Sequence, residues 1–179
     1  MILTLASFLF VKIHYRKRRL RKKLVLAKTY GVDLIQRDFR FDGEPNVFKS
    51  VLGICTNAVC IGGEKYIFEY HYKLMTAGQG RLDKVVDMVI DLSFRQPREK
   101  AMLSDRVFYQ HLDIYPENYF GYQCTEFDNR TLNYLRENDL SLLFGGWGLI
   151  VIPGGGEVED VEKISSKVES IKKLLLEKN

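Results

Sequence analysis

The chain has 179 residues, the length of one ordinary domain with an appendage, and its 46% hydrophobic and 28% charged residues exclude wholesale disorder. Its formal net charge of +4 hides two unequal parts: residues 1 to 32 carry nine Lys/Arg and no acid, whereas residues 33 to 179 carry eighteen basic against twenty-three acidic side chains, a net −5. The basic balance is therefore no signal of a nucleic-acid-binding domain, and nucleic acid is not an expected partner.

Met1 to Val11 (MILTLASFLFV) has no charged residue, and eight cations follow within Lys12 to Lys23: Lys12, Arg16, Lys17, Arg18, Arg19, Arg21, Lys22 and Lys23. An apolar run abutting such a cluster reads as a membrane element with these eight at the lipid interface, because Lys and Arg prefer the anionic cytoplasmic side. Eleven residues rise about 16 Å as a helix against about 30 Å of hydrocarbon. Snorkelling by Lys12 and extension to Tyr15 reach only about 22 Å. The expectation is therefore either an apolar extension upstream of Met1 or a partial, monotopic anchor. A secretory signal peptide would carry its charges before the apolar stretch, the reverse of this order. A buried core helix would suit the apolar run but not the cations after it, and RKRRLRKK as a localisation or RNA-binding arm leaves that run unexplained. From Arg16 the helix continues to Tyr30 with Leu20, Leu24 and Ala27 at helical spacing, and Gly31 suits a left-handed C-terminal cap. Residues 1–31 thus read as anchor and juxtamembrane helix, and 32–179 as a single domain.

In that domain, Leu34 to Phe41 is a weak strand candidate closed by DGEPN. Ser50 to Ile61 reads as a strand or bent hairpin, with Gly62-Gly63 as a turn. Glu64 to Met75 alternates, placing Tyr66, Phe68, Tyr70, Tyr72 and Leu74 opposite Glu69, His71 and Lys73. Leu82 to Phe94 places Val86, Met88, Ile90, Leu92 and Phe94 opposite Asp87, Asp91 and Ser93. The two should form an antiparallel hairpin whose paired residue numbers add to an even total, since a one-residue slip inverts a face. One such register sets His71 opposite Asp87; another sets Lys73 opposite Asp83 and Lys65 opposite Asp91. The aromatic face is expected to pack beneath the helices, and the carboxylates to face solvent.

Arg106 to Tyr115 and Tyr119 to Phe127 are further strand candidates. Thr131 to Phe144 reads as a helix on Leu132, Leu135, Leu140 and Leu143, capped by Asp128 or Asn129. FGGWG then reads as its terminating turn, and Trp147 to Ile152 as a strand. Glu157 to Lys178 reads as a helix with the stripe Val158, Val161, Ile164, Val168, Ile171 and Leu175, acids at its start and lysines at its end. The expected fold class is α+β: an N-terminal membrane-associated helix, then a mostly antiparallel sheet with two C-terminal helices on one face.

The stretch RKRRLRKKLVLAKTYG, the strand and loop YIFEYHYKLMTAGQG, and the final strand and helix resemble in layout a family of bacterial membrane-anchored proteins of unknown function. That resemblance implies a membrane helix, an Arg-rich stretch, a short helix ending in Gly and a cytoplasmic α+β domain at the inner membrane. It implies no activity or catalytic residues.

Cys55, Cys60 and Cys124 do not suggest a disulfide framework, and CTNAVC lacks zinc-type spacing; small core cysteines are the simpler reading. Cys60 or Cys124 with His71 or His111 could form a nucleophilic pair in space, although no local motif supports one. PGGGEVEDV lacks both the Lys-Ser/Thr ending and the GxGxxG spacing of phosphate loops, and Glu157, Glu159 and Asp160 would repel an anion, so it reads as a strand-to-helix turn. No cofactor or metal is implied. The expected function is a membrane-tethered cytoplasmic module for protein interaction or regulation, with membrane lipid and an unidentified protein as partners. The alternatives are an enzyme with an unrecognised Cys/His or carboxylate site, and a polyanion binder acting through the basic leader.

Overall fold

The computed structural model describes residues 2–41, 53–76, 80–95, 100–102, 128–145 and 148–177. The strand candidates Arg106–Tyr115 and Tyr119–Phe127, with His111, Cys124 and Trp147, lie outside them.

The expected leader is one continuous helix, α1 (Ile2–Tyr30). It ends in a Schellman cap, in which Val32 N–H donates to Ala27 O (3.0 Å) and Gly31 N–H to Lys28 O (3.2 Å), with Gly31 at φ 64. Strands β1 (Gly53–Gly62), β2 (Lys65–Thr76), β3 (Gly80–Asp91), β4 (Lys100–Met102), β5 (Leu140–Gly145) and β6 (Gly148–Pro153) form an antiparallel sheet in the order β1-β2-β3-β6-β5-β4. Its last member is a three-residue edge strand. Helices α2 (Asn129–Glu137) and α3 (Val161–Leu176) complete the α+β fold.

The β2–β3 register is one of those allowed by face matching, with Lys65 opposite Asp91 and Lys73 opposite Asp83. The assignment of faces is a correction. Ile67 and Val89 share one core with Val59, Leu149 and Val151 from the sheet, and with Ala27, Leu135, Ile164, Val168 and Ile171 from α1, α2 and α3. The helices therefore cover the face that also carries Glu69, Asp87 and Asp91, and all three carboxylates are buried instead of solvated. The opposite, aromatic face is packed by residues of the 33–41 segment: Phe39 lies 5.2 Å from Tyr66 and 5.3 Å from Phe68, ring centre to ring centre. That segment touches β1 through an Ile35–Ala58 bridge but forms no regular strand.

The second correction is Thr131–Phe144. Asp128 caps α2 as expected, its carboxylate accepting from Thr131 N–H (2.7 Å), but the helix stops at Glu137. Asp139 then turns the chain at φ 50, and Leu140 and Leu142 enter β5 with alternate residues on the core face. Short leucine runs fit either period, and the pairing with β6 decides for the strand. FGGWG consequently joins two strands, with Gly145 paired to Gly148, and does not end a helix.

The final helix begins at Val161 and not at Glu157, because Asp160 caps it on Lys163 N–H (3.0 Å); Val158 therefore precedes it, and Ile164, Val168 and Ile171 of the expected stripe are buried. Lys172 docks it to the sheet, Nζ lying 2.9 Å from the buried Asp91 carboxylate. Gly148 permits the close approach of β6 to β3: at φ +137, a Cβ there would lie 2.7 Å from the Asp91 carbonyl oxygen. Gly148→Ala is accordingly expected to cost about 1–3 kcal/mol, read as a lower urea midpoint with unchanged m-value.

Candidate functional site

Of the apolar stripe Leu20–Leu24–Ala27, Ala27 alone is among the buried residues of α1. Those buried residues are Arg19, Lys23 and Ala27, one face at i, i+4 and i+8. Arg19 Nε lies 3.2 Å from Glu69 Oε1 on β2, and an Arg19 terminal nitrogen pairs with Asp87 on β3. Lys23 Nζ lies 3.1 Å from the same Asp87 oxygen, whose partner oxygen accepts the Val158 N–H (2.9 Å). Arg19 and Lys23, grouped on sequence with the membrane-interface cations, are thus committed to the protein interior. Arg16, Lys17, Arg18, Arg21 and Lys22 remain exposed.

The turn PGGGEVEDV serves this cluster. Beyond the end of β6 it continues along β3, where Gly156 O accepts the Asp87 backbone N–H (2.9 Å) before Val158 reaches the carboxylate. It is the expected strand-to-helix connection, and it also closes the buried charges.

Glu69, like Asp87, has partners beyond the cations of α1. Its second oxygen accepts Asn57 Nδ2 at 2.7 Å and lies 3.3 Å from His71 Nε2, which is 2.9 Å from Thr56 Oγ1. Burial pushes the Glu69 carboxyl up, but the bonds from His71 and Asn57 and the charges of Arg19 and Lys23 outweigh it, holding it down at about 2. Asn57 reaches Glu69 from a β-bulge between Thr56 and Val59, at φ 51. Burial likewise opposes the Arg19 charge, yet Asp87, the Tyr15 hydroxyl and Glu69 hold its pKa above the usual value.

Two clefts flank the buried pairs. One, of about 570 Å³, runs between α1 and residues 157–161; Ile67, Leu26 and Val158 contribute apolar walls, and Arg18 and Arg21 line it. There Lys22 meets Glu157 at 2.5 Å. The other, of about 300 Å³, lies on the opposite flank of α1 and is lined by Tyr15, Arg16, Arg37, Asn57, Glu69 and His71.

The structure does not join the sequence-derived nucleophile candidates Cys60 and His71. Cys60 pairs with Tyr66 and His71 with Ile54, about 16 Å apart along β2 at the usual strand rise. The Cys60 thiol lies 3.6 Å from Gly63 O. The bulge places Cys55 (opposite Tyr70) and Cys60 (opposite Tyr66) on one sheet face, and neither forms a disulfide. Among the described residues no group of three or more His, Cys, Asp or Glu is placed to hold a metal ion, and no helix is long and apolar enough to cross a membrane.

Comparison with family models, curated proteins and solved structures returned no match. The resemblance in layout described above rests on its quoted residues alone. What the fold and site define is a class: an antiparallel α+β domain whose cationic N-terminal helix is pinned to the sheet by buried ion pairs.

Proposed function

We propose that this protein is a membrane-associated, non-catalytic interaction module. Its N-terminal helix holds it at the cytoplasmic side of a bacterial inner membrane, and its sheet domain engages a protein partner there. The observation that carries this reading is the division of labour along α1. Arg19 and Lys23 lock the helix to the sheet, while Phe10, Val11 and Ile13 stay exposed ahead of the exposed Arg16, Lys17, Arg18 and Arg21. Apolar residues followed by unburied cations suit insertion at an anionic interface. A helix fixed to its domain would hold that domain at a set orientation to the lipid.

The test is flotation of the full chain with phosphatidylcholine vesicles, with and without phosphatidylglycerol. Binding is expected to require the anionic lipid and to weaken with salt. The double variant Arg18→Gln/Arg21→Gln is expected to lose about 2 kcal/mol, roughly thirtyfold in affinity. Equal binding to neutral vesicles, or no loss in the variant, would sink the reading.

A further inference from the structure

We propose that the cleft beside His71 is a binding site for a phosphate monoester. Five parts of the chain converge on it: α1 through Tyr15 and Arg16, the 36–37 segment through Arg37, the β1 bulge through Asn57, β2 through Glu69 and His71, and β3 through Val85. At about 300 Å³ it has room for a small headgroup and falls at the lower end of ligand-pocket sizes.

Its charge is unbalanced in one direction. Glu69 contributes the one carboxylate among the described lining residues, and it is already neutralised by Arg19 and hydrogen-bonded by Asn57 and His71. Arg16 and Arg37 line the same cleft, both exposed and neither in an ion pair among the described residues. Two uncompensated guanidiniums match a dianion. A phosphate monoester carries close to two charges at pH 7 and offers oxygens that accept from an Arg fork in pairs, whereas a carboxylate carries one. Arg19, 5.7 Å from the Tyr15 ring centre and bonded to its hydroxyl, also lines the cleft.

The phosphate could be borne by a soluble molecule or a lipid. Arg16 lies five residues past Val11, about 7 Å along the helix, so a headgroup phosphate is within reach of the cleft if the apolar end enters a membrane. The soluble case does not depend on the membrane reading.

The experiment titrates the full chain with glycerol 3-phosphate by calorimetry, and in parallel compares flotation with vesicles containing phosphatidic acid (a monoester) or phosphatidylglycerol (a diester) at matched surface charge. The expected result is saturable glycerol 3-phosphate binding, or a preference for phosphatidic acid, that falls tenfold or more in Arg37→Gln and in Arg16→Gln. Arg18→Gln/Arg21→Gln should leave glycerol 3-phosphate binding, or the preference, unchanged. Saturable soluble binding identifies a free phosphoester; a phosphatidic acid preference alone identifies a lipid headgroup. Arg37 is exposed and off the membrane helix, so its loss should spare the melting temperature. Wild-type behaviour of Arg37→Gln, or no glycerol 3-phosphate binding together with no lipid preference, would overturn the proposal. Soluble binding without any vesicle binding would overturn the membrane reading and leave this one standing.

Discussion

Asp87→Ala is expected to destabilise the fold by about 3–5 kcal/mol, because it leaves two buried cations without their shared counter-ion. Arg19 and Lys23 are both about 95% buried and both reach Asp87 Oδ1, while Asp87 Oδ2 holds the Val158 N–H. Removing the carboxylate uncaps that backbone donor and strips Lys23 of its one ion pair among the described residues. Urea unfolding of the purified variant measures the cost. A matched control is Lys22→Ala, which breaks the Lys22–Glu157 pair on the half-exposed rim and should cost no more than about 1 kcal/mol. If the two variants lost stability equally, the cluster would not be what docks α1. Protease sensitivity of α1 should rise in Asp87→Ala and stay unchanged in Lys22→Ala, since release of the helix is the specific consequence.

Acidification is expected to remove about 3 kcal/mol of stability through Glu69 alone, as pH falls from about 4.5 to about 2. The folded carboxyl sits at about 2, against 4.5 as its ordinary value, so the unfolded chain binds the proton first on descending pH. The stabilisation is fully present above 4.5 and gone below 2. Asp91 shifts in the same direction: burial raises it, but the hydrogen bonds of Lys172 and Ser93 and the Lys172 charge lower it by more. Urea midpoints measured between pH 7 and pH 2 should therefore fall steeply below pH 4.5. Glu69→Gln keeps the side-chain shape and deletes the titration, so its profile should be flatter over that window. An identical slope in wild type and Glu69→Gln would refute the assignment.

Much of the architecture was legible because it depends on local pattern. The alternation of Tyr66 to Leu74 and of Val86 to Asp91 sets both strands and the parity of their pairing, and Lys65 duly faces Asp91. Gly31 ends α1, Gly62 and Gly63 turn β1 into β2 at φ 116 and 59, and Asp128 caps α2, because each is a one-residue device. The stripe Ile164–Val168–Ile171 marks the buried face of the last helix for the same reason.

The candidate site was not legible. Glu69, Asp87 and Asp91 alternate with apolar neighbours and look like a solvated edge, and Arg19 and Lys23 look like two more members of a membrane-flanking cluster. The spacing of Arg19, Lys23 and Ala27 at four residues could have hinted at one packed face, but Leu20 and Leu24 offered a more apolar competitor. Only tertiary structure brings the two charged sets together, because the sign of burial for a charge depends on whether an opposite charge arrives from elsewhere.

By itself, then, the sequence determined β1, β2, β3 and β6, the Gly31 and Asp128 caps, the pairing parity and the segregation of +9 from −5. The tertiary structure decided which sheet face lies under the helices, which two of the eight leader cations leave the surface, and that residues 140–145 pair as a strand. The first set follows from the periods of helix and strand, which a chain carries locally. The second follows from long-range pairing of charges and ladders, whose energy exists only once distant segments meet.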